Sequence, residues 1–218
     1  MGNDSAAQIT AWSFLQEPDA STYFAKVDYE LKNGRHIQQR NEQAWLFRFI
    51  DKNEDSLALY YRTYFGVILS YGGEANEKYY FLDFMAESRG GIPLENRVFM
   101  QSEFIIIGFM LYKIIFIDGY VELGSVKSLQ RMLRQDYEEL KPGLFRVLAK
   151  AKGINITQMN QDKMDAVVES ALKAFHKIGW VELNEDTFEV LDSFQRLPKV
   201  YGLQINAIDD WLKNEIAK

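Results

Sequence analysis

Residues 55–84 read DSLALYYRTYFGVILSYGGEANEKYYFLDF. Two periodicities meet in this stretch. Leu57, Ala58, Tyr61, Tyr64 and Phe65 recur at three- and four-residue steps and fall on one face of a helix, with Asp55 placed to cap it. After Gly66 the pattern changes. Val67 to Tyr71 and Lys78 to Phe84 are rich in β-branched and aromatic residues, and Gly72, Gly73 and Asn76 lie between them. That is a helix followed by a β-hairpin.

Upstream, two more helices are expected. One covers Asn41 to Ile50. The other covers Thr22 to Leu31, where Tyr23, Phe24, Val27 and Leu31 make an apolar stripe that Asn33 and Gly34 close. Three helices and a hairpin are the winged-helix order, a helix-turn-helix variant. Downstream, ESRGGIPLEN (87–96) is polar, with paired glycines and Pro93, and reads as a linker.

The second half repeats the layout. A very apolar helix runs from Gln101 to Ile117, and Ser125 caps a short helix with Val126, Leu129, Met132 and Leu133 inward. Gly143 to Lys152 is helical. In the helix from Gln161 to Ile178, Met164, Val167, Val168, Ala171, Leu172, Phe175 and Ile178 form one stripe. A second hairpin follows, Trp180 to Leu183 and Thr187 to Leu191, and Ala207 to Ile216 is a last helix. The expected fold is mainly α with small β-hairpin wings (α+β), as tandem winged-helix domains. Its divisions are a disordered tail (1–15), a first winged-helix domain (16–86), a linker (87–97), a second winged-helix domain (98–195) and a C-terminal helical extension (196–218).

Composition narrows the function. Of the 218 residues 47% are hydrophobic, enough for a packed core, and the net charge is −6, so DNA contact needs a local basic face. There is no cysteine, and His36 and His176 fall on different elements, so no zinc site is expected. Neither HExxH nor GxxxxGK[ST] occurs, and Ser88-Arg89-Gly90-Gly91 lacks GxGxxG spacing. No catalytic residue, cofactor or metal is expected. The N-terminus lacks the layout of a signal peptide, and the apolar run from Phe104 to Ile117 falls short of the roughly 20 residues a bilayer needs. No membrane partner is expected.

Basic residues are better placed. Lys163, Ala166, Ser170, Lys173 and Lys177 step by three and four along one helix face, and Asp162, Asp165, Glu169 and His176 make a separate stripe. Small residues between the lysines would let a phosphate backbone approach, and a plain solvated face has the same pattern. From Ser125 to Lys152 seven basic residues, Lys127, Arg131 and Arg134 among them, stand against three acidic ones. A further cluster is Lys32, Arg35, His36 and Arg40 at a helix end, where cations also complement the dipole.

Leu31-Lys32-Asn33-Gly34-Arg35-His36-Ile37 resembles the SGRHI segment of MukE. Tyr80-Phe81-Leu82 resembles that family's wing strand before the linker, Ile92-Pro93 an IPRS-like stretch and Ser102-Glu103 an SEL-like helix start. Lys163 to Gly179 is similar, without gaps, to the helix before the second wing. The resemblance spans Tyr23 to Gly202 and is closer to MksE, the divergent MukE-like subunit.

The resemblance implies a tandem winged-helix homodimer that binds the kleisin of an SMC-type condensin, MukF- or MksF-like. The kleisin in turn engages the MukB- or MksB-like ATPase. Such complexes organise and segregate chromosomal DNA, and related systems act against plasmids. A cytoplasmic, nucleoid-associated place is implied. Where the family's second-domain helix is arginine-rich, this chain has Lys163, Glu169, Lys173, Ala174, His176 and Lys177, so only part of the basic character is kept.

The expected contacts with double-stranded DNA, weak and indifferent to sequence, are Lys163, Lys173, Lys177, Arg131, Arg134 and Lys127. The expected kleisin contacts are Trp180, Tyr201, Ile208, Trp211 and Leu212, aromatic and aliphatic anchors near the C-terminus. The rival reading is a free-standing winged-helix transcription regulator, which would carry a basic recognition helix.

Overall fold

Gly34 decides how the first helix stops. Its φ of 76° is costly for other residues, and the Arg35 amide reaches back to the Glu30 carbonyl at 3.0 Å. This closes α1 (Ala20–Lys32) and sends the chain directly into β1 (Ile37–Gln38). The computed structural model describes residues 9–84 and 100–217. The chain divides into two units, Met1–Val98 and Phe99–Lys218, mainly helical with small antiparallel sheets. The expected linker, 87–97, lies outside the described residues.

In the first unit a 3-10 turn at Asn41–Gln43 leads into α2 (Ala44–Lys52), followed by α3 (Glu54–Phe65). Asp55, expected as the cap of α3, lies in its first turn beside Glu54, where carboxylates still favour the helix dipole. Asn53 holds the cap position, and its side-chain amide donates to the Phe49 carbonyl at 2.9 Å. Gly66, at φ 60°, ends α3 and turns the chain into β2 (Val67–Gly72). β2 pairs antiparallel with β3 (Tyr79–Phe84), from Val67 opposite Phe84 to Gly72 opposite Tyr79.

β1 lies on the other side of β3, with Ile37 opposite Tyr80, so the sheet order is β1-β3-β2. Val27, Leu31, Ile37, Ile50, Leu57, Tyr61 and Tyr80 form the core beneath it. The tail expected through residue 15 is ordered before that point. Ser13–Gln16 is a 3-10 turn, and Phe14 is wholly buried against Phe24 and Tyr60. The Phe14 amide donates to Ser56 Oγ, and that hydroxyl donates to the Thr10 carbonyl at 2.7 Å.

The second unit opens with α4 (Ser102–Tyr112), which continues as a π-helical turn over Lys113–Ile117. One regular helix to Ile117 was expected. The widened turn coincides with a buried cation, because Lys113 pairs with Asp118 at 3.0 Å and with Asp209 at 3.2 Å. Burial lowers this ammonium's proton affinity, but the hydrogen bonds to Asp118 and Asp209 outweigh it and hold the group above its ordinary value. Among the described residues no helix is long and apolar enough to cross a membrane.

Next come α5 (Val126–Gln135), α6 (Lys141–Ala151) and α7 (Gln161–Lys177). Ser125 caps α5 as expected, its Oγ accepting from the Ser128 amide. Asn160 caps α7, its side-chain oxygen accepting from the Lys163 amide at 3.0 Å. β4 (Val181–Asn184) and β5 (Thr187–Val190) make the hairpin, with Val181 opposite Val190. Ser125 bridges to Thr187 of β5, and the Phe188 amide donates to the Gly124 carbonyl at 2.8 Å.

The C-terminal region holds two helices where one was expected, α8 (Arg196–Asn206) and α9 (Ile208–Ile216). Pro198 sits in the first turn of α8, where a missing amide costs no intrahelical bond. Ile205, Ile208 and Leu212 join the core of the second unit. α9 comes so close to α6 that a Cβ on Gly143 would stand 2.1 Å from the Leu212 carbonyl oxygen.

Candidate interaction site

Helix α7 buries Met164, Val167, Val168, Ala171, Leu172 and Phe175. That choice of face fixes the rest of its surface. Lys163, Ala166, Ser170, Lys173 and Lys177 are all exposed, so the basic stripe read from the sequence is a real surface. The three lysines make no ion pair among the described residues.

The acidic stripe is turned toward α5. Asp165 accepts from Arg134 Nη1 and from Gln161 Nε2, both at 2.9 Å, and Glu169 accepts from Gln130 Nε2 at 3.2 Å. Charge segregation on α7 thus has a structural cause, since Asp165 and Glu169 dock α5, while Asp162 and the ammonium groups are left outward. Arg134 is committed to that docking. Lys127 pairs with Asp186 at 3.0 Å with both side chains well exposed, a pair that water and salt screen. Arg131 is exposed on α5.

A groove of about 450 Å³ runs between α4, α6, α8 and α9. Ile105, Phe109, Val147 and Ala151 line it with Tyr201 and Trp211, and Lys150 and Glu215 also border it. Tyr201 packs on Phe109 with ring centres 5.4 Å apart, at a point where α8 departs from helical geometry (φ −125°, ψ 24°). Of the five residues expected to meet a kleisin, only Tyr201 and Trp211 border this groove. Ile208 and Leu212 are buried core, and Trp180 is buried against Phe175 and Phe194 with ring centres 5.7 Å away in each case. Pattern alone missed Ile105 and Phe109, although α4 is apolar on more faces than one core can cover.

The first unit accounts for the segment 31–37. Leu31 and Ile37 are core, Gly34 makes the turn, and Arg35 pairs with Glu30 at 3.5 Å. His36 is buried beside the rings of Tyr79 and Phe81 on β3, at 5.8 and 5.2 Å between centres. The motif therefore ties the first helix to the hairpin. A family model described as condensin complex protein MksE matches residues 22–201. The chain belongs to the MksE family.

No curated protein matches the chain. The MksE match begins in α1, crosses both units and ends at Tyr201 in α8. It therefore takes in the whole basic stripe of α7 and one of the two aromatic residues at the groove. Trp211, on α9, lies beyond it. Membership of MksE makes the chain a condensin-complex subunit.

Proposed function

We propose that this chain is a non-enzymatic, kleisin-binding subunit of a bacterial SMC-type condensin, built from two winged-helix domains. The shared topology of the two units supports the winged-helix reading. In each, the segment after the first helix lies antiparallel to the last strand of the hairpin: β1 on β3 in the first unit, Ser125 on β5 in the second. Between that segment and the hairpin the first unit has two helices, α2 and α3, and the second has three, with α6 added between α5 and α7.

The groove beside Tyr201 and Trp211 carries the kleisin part of the reading. It joins an apolar floor to two half-buried aromatic side chains, the type of anchor that dominates interface energies. An extended or helical kleisin segment, ordering as it binds, would fill it. Through the kleisin the chain would join the SMC-type ATPase.

The α7 stripe supports a second contact, weak and sequence-indifferent, with double-stranded DNA. α7 stands where winged-helix proteins carry the recognition helix, and among the described residues its three lysines make no ion pair. Self-association through the first units is supported by exposed aromatic residues, Trp12 at 47%, Trp45 at 57% and Tyr64 at 49% exposure. The resulting assembly would work on chromosomal or plasmid DNA in the cytoplasm, at the nucleoid.

The test is a titration of the purified chain with the kleisin of its own condensin, read by calorimetry. Saturable binding at about micromolar Kd or tighter is expected, equivalent to about −8 kcal/mol. No heat and no co-elution at tens of micromolar would overturn the kleisin assignment.

A further inference from the structure

His176 lies in the last turn of α7, with Nδ1 3.2 Å from the Leu183 amide nitrogen and 3.2 Å from the Val181 carbonyl oxygen. Both partners are backbone groups of β4. The Trp180 carbonyl accepts from the Leu191 amide, on the side of β5. Strand alternation then turns the groups of Glu182 and Asn184 toward β5 and those of Val181 and Leu183 away from it. On that outer side no strand pairs with β4 among the described residues. A single imidazole therefore occupies the place of a neighbouring strand.

One ring nitrogen cannot satisfy both groups at once. With a lone pair, Nδ1 accepts the Leu183 N–H; with a proton, it donates to the Val181 carbonyl. We propose that His176 is a proton-operated latch between α7 and the second wing. The neutral ring, protonated at Nε2, holds the Leu183 amide. The imidazolium releases that amide and takes the Val181 carbonyl instead. No atoms other than one proton are exchanged.

The released amide stands on an open strand edge, ready for water or for the carbonyl of another extended segment. Protonation also adds a positive charge at the C-terminal end of α7, beside Lys173 and Lys177, where the helix dipole favours it. The other ionisable groups around the junction are Glu169 on α7, Glu182 on β4 and Glu189 opposite it on β5, with Glu185 and Asp186 in the turn. Asp186 pairs with Lys127, and Arg134 from α5 is held by Asp165 further up α7.

Nuclear magnetic resonance of the full chain, with 15N labelling, tests the latch over a series of pH values that takes the ring from neutral to imidazolium. Two results are expected at the high end: an Nε2–H ring at His176 and a Leu183 amide protected from exchange. As the ring gains its second proton, Leu183 protection should fall about five- to tenfold after correction for intrinsic rates, the worth of one hydrogen bond. His176→Asn puts a non-titrating amide, both donor and acceptor, near the position of Nδ1, and Leu183 protection should then be level across the range. An Nδ1–H ring throughout, Leu183 protection that ignores the ring's titration, or an equal loss in His176→Asn would each overturn the latch.

Discussion

Arg134 Nη1 lies 2.9 Å from Asp165 Oδ2, and this ion pair fastens α5 to the flank of α7. The carboxylate is mostly shielded, with 18% of its side chain exposed. The apolar face of α7 decides which side is buried, and the pair adds to it by using one carboxylate of the acidic stripe for docking. Asp165→Ala is expected to lower stability by about 1 kcal/mol, the scale of a partly screened charged hydrogen bond. In a chain of this length that moves the melting temperature by about 2–4 °C. Thermal unfolding followed by circular dichroism checks it, and an unchanged midpoint would reduce the pair to a surface contact.

The open face gives the opposite result. Lys163, Lys173 and Lys177 are exposed, so changing all three to Glu should leave the melting temperature level. DNA affinity of the assembled complex should fall. The slope of log affinity against log salt should shrink by about 0.9 for each phosphate that a lysine no longer neutralises. Retained affinity with an unaltered slope would return this face to solvent.

How much of this was legible in the sequence depended on the length of each signal. α7 repeats its apolar step over four turns, and its basic stripe followed from the same periodicity. β1 is two residues long, too short for alternation to register, yet it completes the first sheet. Phe14 lies two residues after Trp12 in a run too short to show a period, and only its packing against Phe24 and Tyr60 distinguishes it from a tail residue. α8 contains Pro198 and Gly202, residue types with low helix propensity, so its periodicity is weak. The kleisin candidates show the deeper limit: Trp180, Ile208 and Leu212 have the same chemistry as Tyr201 and Trp211, and only packing separates core from groove.

The first hairpin should be sensitive to acid. Lys78 Nζ bridges Asp51 and Glu54 at 2.9 and 3.0 Å, and the Tyr80 hydroxyl, with one proton to donate, stands within hydrogen-bond reach of both carboxylates. The hydrogen bond from Lys78 holds the Asp51 carboxyl below its ordinary value of 3.8, against the opposing effect of burial. A depressed carboxylate contributes stability above its unfolded value, and that contribution is lost as pH falls through the folded one. The first unit should therefore lose stability below about pH 4, and Lys78→Met should remove that component. Urea midpoints at pH 6 and pH 3 measure it. A Lys78→Met chain with the same acid loss as wild type would assign the loss elsewhere.

Gly143 offers a test of sign. Replacing an interior helical glycine by alanine ordinarily stabilises by about 1 kcal/mol. Here the new Cβ meets the Leu212 backbone at 2.1 Å, so α9 must move away from α6. Gly143→Ala is expected to destabilise the second unit by about 1–3 kcal/mol, the range for overpacking. A higher melting temperature would mean that the two helices separate without cost.

Trp211 and Ile208 stand three residues apart on α9 with different exposures, and they divide binding from folding. Ile208 is 2% exposed in the core, and Trp211 is half-buried at the edge of the groove. Ile208→Ala should lower stability by about 2–5 kcal/mol and leave kleisin affinity per folded molecule unchanged. Trp211→Ala should do the reverse. Its loss removes an aromatic wall from the groove, so kleisin affinity should fall about tenfold or more, equivalent to about 1.4 kcal/mol, with the melting temperature nearly intact. Tyr201→Ala should weaken binding in the same direction, because its ring stands on Phe109 at the same groove. Calorimetric titration of each variant, paired with a thermal melt, reads both quantities. If Trp211→Ala melts early and binds normally, the tryptophan is a buttress of α9 and the kleisin lies on another face.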